Sequence, residues 1–151
     1  MGMSLIGMYL TTEALVSLLT EVRTILGMGV EISYAANHDE YGALQLDAGR
    51  IGWPLDTLWG HTDCDFVGLN ALFPLSDWRE GLNHLDSLIT TTIYDQAYLQ
   101  AGVMGGELYD WTYADQATRD VQTRTTITDS VVNKPWVFRQ KDLTGWWDNS
   151  H

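Results

Sequence analysis

Apolar residues return every three or four positions at Leu15, Leu18, Leu19, Val22, Ile25 and Leu26, a spacing that predicts an amphipathic helix over residues 12–26. Thr11 or Thr12 is placed to cap its start, and Gly27 and Gly29 stand where it should end. Ahead of it, residues 5–10 form a short apolar run that reads as a buried strand. Behind it, residues 30–36 (VEISYAA) follow a glycine and carry β-branched and aromatic side chains, the composition of a second strand. The pattern therefore opens in a strand, helix, strand order.

Further along, residues 37–52 contain Asn, Asp and three Gly without an apolar period and read as a loop. Residues 54–59 suit a short helical turn, and residues 65–69 (DFVGL) suit a strand that Pro74 keeps from continuing. Helices are expected over 94–104 and 113–122, a short strand over 136–139, and a last helical turn over 142–147. Strands separated by helix-length segments point to an α/β fold with parallel strands. About three or four strands are found, whereas a closed (β/α)8 barrel needs eight and about 250 residues. The expected fold is a partial (β/α)8 TIM-barrel-like α/β domain, at most about half a ring. Its outer strands would leave backbone N–H and C=O groups unpaired, which calls for a cover, a partner or self-association with a second copy.

Composition narrows the class. With 151 residues, 45% of them hydrophobic, the chain is expected to form a single domain with a real core. Twenty acidic residues against eight basic ones give a formal charge of −12, which argues against nucleic acid and anionic membranes as partners. Neutral or cationic ligands fit better. The acids are scattered singly and in pairs, as on a solvated surface. Cys64 is the single cysteine, so no internal disulfide is expected and its role is packing. The first residues lack a basic leader, Glu13 interrupts the apolar stretch, and no apolar run is long enough for membrane insertion.

Local motifs add little. His61-Thr62-Asp63-Cys64-Asp65 offers metal-ligand atoms but no second spaced pair, so no metal site is expected. His38-Asp39-Glu40 and His84-Leu85-Asp86 could serve as acid/base pairs, but a surface histidine beside a carboxylate is common and usually has no chemical role. Residues 102–106 are glycine-rich but lack the Lys-Ser/Thr of a phosphate loop, and no Gly-x-Ser-x-Gly elbow occurs. No cofactor is implied.

The most informative stretch is residues 125–149, TTITDSVVNKPWVFRQKDLTGWWDN, which sets three of the seven tryptophans among Asp, Lys and Arg. Indole suits such a setting where one edge stays wet, in a polar-rimmed core or on a face that stacks on a flat ligand. Together with IYDQAYLQ (93–100), GGELYDWTYADQATRDVQTR (105–124) and VGLNALFPLSDWREG (67–81), it resembles the TIM-barrel-like domain of phage tail and gene transfer agent baseplate (host-specificity) proteins. That domain is related in fold to glycoside hydrolases. The likeness runs in order over most of residues 5–149 and implies the middle to later part of the family domain. It also implies other tail or baseplate subunits as partners, a cell-surface glycan as ligand, and residence in a virion-like tail particle or, before assembly, the bacterial cytoplasm.

Retaining glycosidases flank the scissile bond with two carboxylates about 5–5.5 Å apart. Where the resemblance implies Ile-Gly-Ser-Glu after a strand, the chain reads Ile6-Gly7-Met8-Tyr9, so Tyr9 stands in the carboxylate's place. The second acid is expected beyond His151. Val67-Gly68-Leu69-Asn70-Ala71-Leu72 stands where relatives resemble Val-Gly-Ile-Asp-Asn-Tyr, and Asn37 replaces a family aspartate after the strand ending at Ala36. An amide carries no charge to stabilise an oxocarbenium-like transition state and is no base near neutral pH. No catalytic residue is assigned, and hydrolysis by this chain alone is not expected.

What remains are side chains of the kind that hold a sugar or a partner. Trp53, Trp59, Trp78, Trp111, Trp146 and Trp147 offer flat faces, and Asp39, Asp77, Glu80, Glu107 and Asp110 offer acceptors for hydroxyls. Core packing is the plainer role, favoured for Trp59 and Trp136 and evenly weighed for Trp78 and Trp111. The candidate ligand-binding set is Asp77, Trp78, Arg79, Glu107, Asp110, Trp111 and Trp146. Asp77-Trp78-Arg79 leads it, because Pro74 and Ser76 suggest a loop just past a strand end, where barrel ligands bind. Asp77 equally suits a turn cap or a pair with Arg79. Two functional classes stand: a non-catalytic structural or recognition module, which is favoured, and a glycoside hydrolase fragment completed by another polypeptide. A truncated remnant that folds poorly alone is the third reading.

Overall fold

One continuous helix, α1 (Leu5–Leu26), opens the described chain in the computed structural model, which describes residues 5–45, 50–128 and 132–151. The strand expected over residues 5–10 is thus corrected to the first turns of α1. Leu and Met are strong helix formers, and a helix pairs its own backbone groups where a lone strand needs a neighbour. Thr12, Leu19 and Arg23 form the buried stripe of α1, seven and four residues apart. Gly27, at φ 72°, ends the helix with its N–H on the Arg23 carbonyl at 2.8 Å.

The chain divides into two compact units, residues 1–71 with His151 and residues 72–150. In the first, α1 packs on the short helix α2 (Asp56–Trp59), whose Leu58 is buried. Strand β1 (Ala35–Asn37) pairs in parallel with β4 (Gly68–Asn70), with Ala36 opposite Leu69 and Asn37 opposite Asn70. A Cβ on Gly68 would come within 2.9 Å of the Tyr34 carbonyl, so the close approach of the two strands requires glycine. Both strands are shorter than the runs 30–36 and 65–69. Side chains hold the approach segments instead: the Asp65 carboxylate accepts from the Ile32 N–H at 2.6 Å and from Arg23, and the Ser33 hydroxyl donates to the Phe66 carbonyl. The stretch 37–52, expected as a loop, carries an antiparallel pair, β2 (Leu44–Gln45) with β3 (Ile51–Gly52).

The second unit is mostly connection. Helices α3 (Gln96–Ala101) and α4 (Gln116–Asp120) occupy the centres of the expected spans 94–104 and 113–122. Asp residues set their starts: Asp95 accepts from the Tyr98 N–H, and Asp115 forms a capping box with Thr118. The antiparallel pair β5 (Trp111–Thr112) and β6 (Thr125–Thr126) flanks α4. The strand expected over 136–139 is corrected to a 3-10 turn, Pro135–Phe138, because proline at its start fixes φ and removes a ladder donor. Helix α5 (Leu143–Asp148) follows. Among the described residues the fold is a mixed α/β, partial barrel: the parallel pairing is β1 with β4, and no ring closes.

Candidate functional site

In a barrel-like fold, chemistry is placed at the C-terminal ends of parallel strands. Here those ends are Asn37 on β1 and Asn70 on β4, side by side in register. The Asn70 amide donates to the Asn37 amide oxygen at 3.2 Å, and both residues are exposed. Glu40, just beyond β1, is committed: it accepts from the Tyr34 hydroxyl at 2.5 Å and the Asn37 N–H at 3.2 Å. That contact and burial push the Tyr34 hydroxyl up to about 12. The strand ends therefore present a neutral amide pair.

The second unit contains a cavity of about 260 Å³, bounded by Asp77, Asp86 and Arg124, by Glu107 and Asp110, and by Trp111. Arg124 is its keystone. Its Nη2 donates to Asp77 at 2.9 Å and to Asp86 at 2.5 Å, and its guanidinium lies 4.1 Å from the centre of the Trp111 ring. Asp77 also accepts from Arg79 at 3.0 Å, the Tyr113 hydroxyl at 2.5 Å and the Gln122 amide at 2.8 Å. Asp86 accepts from the Asp77 N–H at 2.9 Å and from the Tyr98 hydroxyl.

These contacts fix the charge states. Burial works to raise Asp77, but donors from Tyr113, Arg124, Gln122 and Arg79 outweigh it and hold the carboxyl at about 2. Asp86 is also lowered: burial opposes, while Tyr98, Arg124 and the Asp77 N–H prevail. Burial and the bond to Asp86 push the Tyr98 hydroxyl up to about 12. Two ionised aspartates locked around an arginine cannot donate a proton to a leaving group, which requires a carboxyl held protonated.

Behind the cavity, Lys141 is buried and directs its ammonium at three backbone carbonyls, Pro74 at 2.5 Å, Gly102 at 2.8 Å and Gly105 at 2.9 Å. Burial lowers its pKa, against the nearby charges of Glu107 and Asp110. Glu107 is buried and pairs through both oxygens with Arg119. A Cβ on Gly102 would sit 2.0 Å from the Leu75 carbonyl, so this wall is closed tightly enough to demand glycine.

The family model of the GTA (gene transfer agent) TIM-barrel-like domain matches residues 3–151. The chain belongs to that family. No curated protein and no solved structure matches it.

In this gene transfer agent TIM-barrel-like domain, four of the seven candidate binding residues, Asp77, Glu107, Asp110 and Trp111, meet at one cavity. Trp78 instead packs edge-on against His84 at 4.6 Å and Tyr98 at 6.4 Å, and Arg79 runs from Asp77 to the Arg119 carbonyl at 3.0 Å. Trp146 lies buried on α5, outside the cavity wall, while its neighbour Trp147 is exposed. Tyr9, read as a strand-end position, falls inside α1. No group of three metal-ligating side chains occurs among the described residues.

Sequence reasoning took Asp86 for part of a surface pair with His84, although both are buried, and missed Tyr98, Tyr113, Gln122, Arg124 and Lys141. A signal for the basic ones existed: six of the eight Lys and Arg residues fall between positions 79 and 141 of a strongly acidic chain. Gln122 was not legible, since its role depends on a left-handed backbone, φ 54°, at the end of α4, from which its amide reaches Asp77.

Proposed function

We propose that this domain is a non-catalytic glycan-recognition module of a gene transfer agent particle, working among phage-tail-like baseplate subunits and using the cavity of the second unit. The observation that carries the reading is the Asn37–Asn70 amide pair at 3.2 Å, which puts two uncharged groups where a glycosidase needs ionisable ones. Binding has what it needs: a flat indole at Trp111, polar groups fixed by the Asp77–Asp86–Arg124 network, and a volume near the small end of ligand pockets, about 300 Å³. That size suits one sugar ring at a time.

The test is cosedimentation of the purified chain with bacterial cell-wall sacculi. The expected result is saturable binding, weakened at least about tenfold by Trp111→Ala and largely kept by Trp111→Phe, which retains a flat face. A cooperative thermal transition in both variants separates lost binding from lost folding. Absence of binding by the unmodified chain overturns the reading.

A further inference from the structure

We infer that the cavity selects uncharged sugars over anionic ones, with Asp110 as its specificity-determining residue, an inference that rests on the glycan-binding reading above. Four carboxylates and four cations meet around this space, and they are not equally available. Asp77 and Asp86 are closed off by Arg79, Arg124, Tyr98, Tyr113 and Gln122. Glu107 is closed off by Arg119, and Lys141 is spent on three carbonyls. Every one of these cations is therefore already committed.

Asp110 is the exception among the acids. It is exposed, one carboxylate oxygen accepts from the Gly106 N–H at 2.8 Å, and the other makes no hydrogen bond among the described residues, with Lys141 acting on it only through space. The open polar group at the cavity is thus an acceptor with a negative charge. A sugar hydroxyl or acetamido N–H donates to it in a charge-assisted hydrogen bond. A carboxylate or phosphate on the ligand meets a like charge, and recruiting Arg124 or Arg119 as its counterion would strip a buried acid of its partner.

The experiment is calorimetric titration of the full chain with two forms of one tetrasaccharide of alternating N-acetylglucosamine and N-acetylmuramic acid. One form keeps its lactyl carboxylates free; in the other they are capped as methylamides. The unmodified chain is expected to bind the capped form about three- to fivefold more tightly, a gap that shrinks as salt rises. Asp110→Asn keeps the bond from Gly106 and should narrow the gap. Asp110→Lys should reverse it, a gain for the anionic form that misfolding cannot imitate. Equal or tighter binding of the anionic form by the unmodified chain, or a preference that neither variant alters, overturns the inference and leaves glycan binding standing. If neither form binds, the glycan reading falls and the inference with it.

Discussion

The first unit holds two exposed, uncharged amides at the ends of its parallel strands, whereas the second buries two ionised aspartates around an arginine. The strand-end position, where a barrel-like fold offers preorganised geometry for chemistry, carries no charge. The charges gather instead among loops of the second unit that have little regular structure to order them. Asp77, Asp86 and Arg124 join segments 9 to 47 residues apart, so their bonds do for those loops what a sheet ladder does elsewhere. Charge in the second unit ties its loops together around the cavity.

The sharpest way to break this contrast is Arg124→Met. It leaves Asp77 and Asp86 buried without a shared counterion and removes the cation over Trp111. A loss of about 3–5 kcal/mol is expected in urea unfolding of the full chain. A loss below about 1 kcal/mol would mean that the network is decoration.

Acid should act next most strongly, and on the second unit. Asp77 has its carboxyl lowered from 3.8 to about 2, so its contribution is fully present above pH 4 and disappears as the pH falls through 2. The shift corresponds to about 2 kcal/mol, read from stability measured between pH 5 and pH 2. Asp77→Asn should flatten that part of the profile. The mildest change is at the strand ends: Asn37→Ala with Asn70→Ala removes one exposed amide bond and should cost no more than about 1 kcal/mol in the same unfolding measurement.

The parts of this architecture that local chemistry decides were legible beforehand. The helix over residues 12–26, the turn at α2, and helices α3 and α4 were read as elements, but the apolar spacing of α1 did not mark its buried face: Leu19 is buried while Leu18, Ile25 and Leu26 are exposed. Residues 5–10 misled because a short apolar run has no period long enough to separate strand from helix. The strands β5 and β6, two residues each, carry no pattern that alternation could betray. At the cavity, Asp77, Glu107, Asp110 and Trp111 were recognisable as acids and an indole within the blocks that carry the family resemblance. Their partners were not, because pairing Asp77 with Arg124 depends on how the intervening 46 residues fold, which neither spacing nor composition encodes.

The most direct test of non-catalytic recognition is the release of new reducing ends when the purified chain is incubated with bacterial cell-wall glycans. None should form, at any pH where the chain stays folded, even while the glycans bind. Steady release that disappears in Asp77→Asn or Glu107→Gln would contradict the account, because it would show that the acids framing the binding wall break a glycosidic bond.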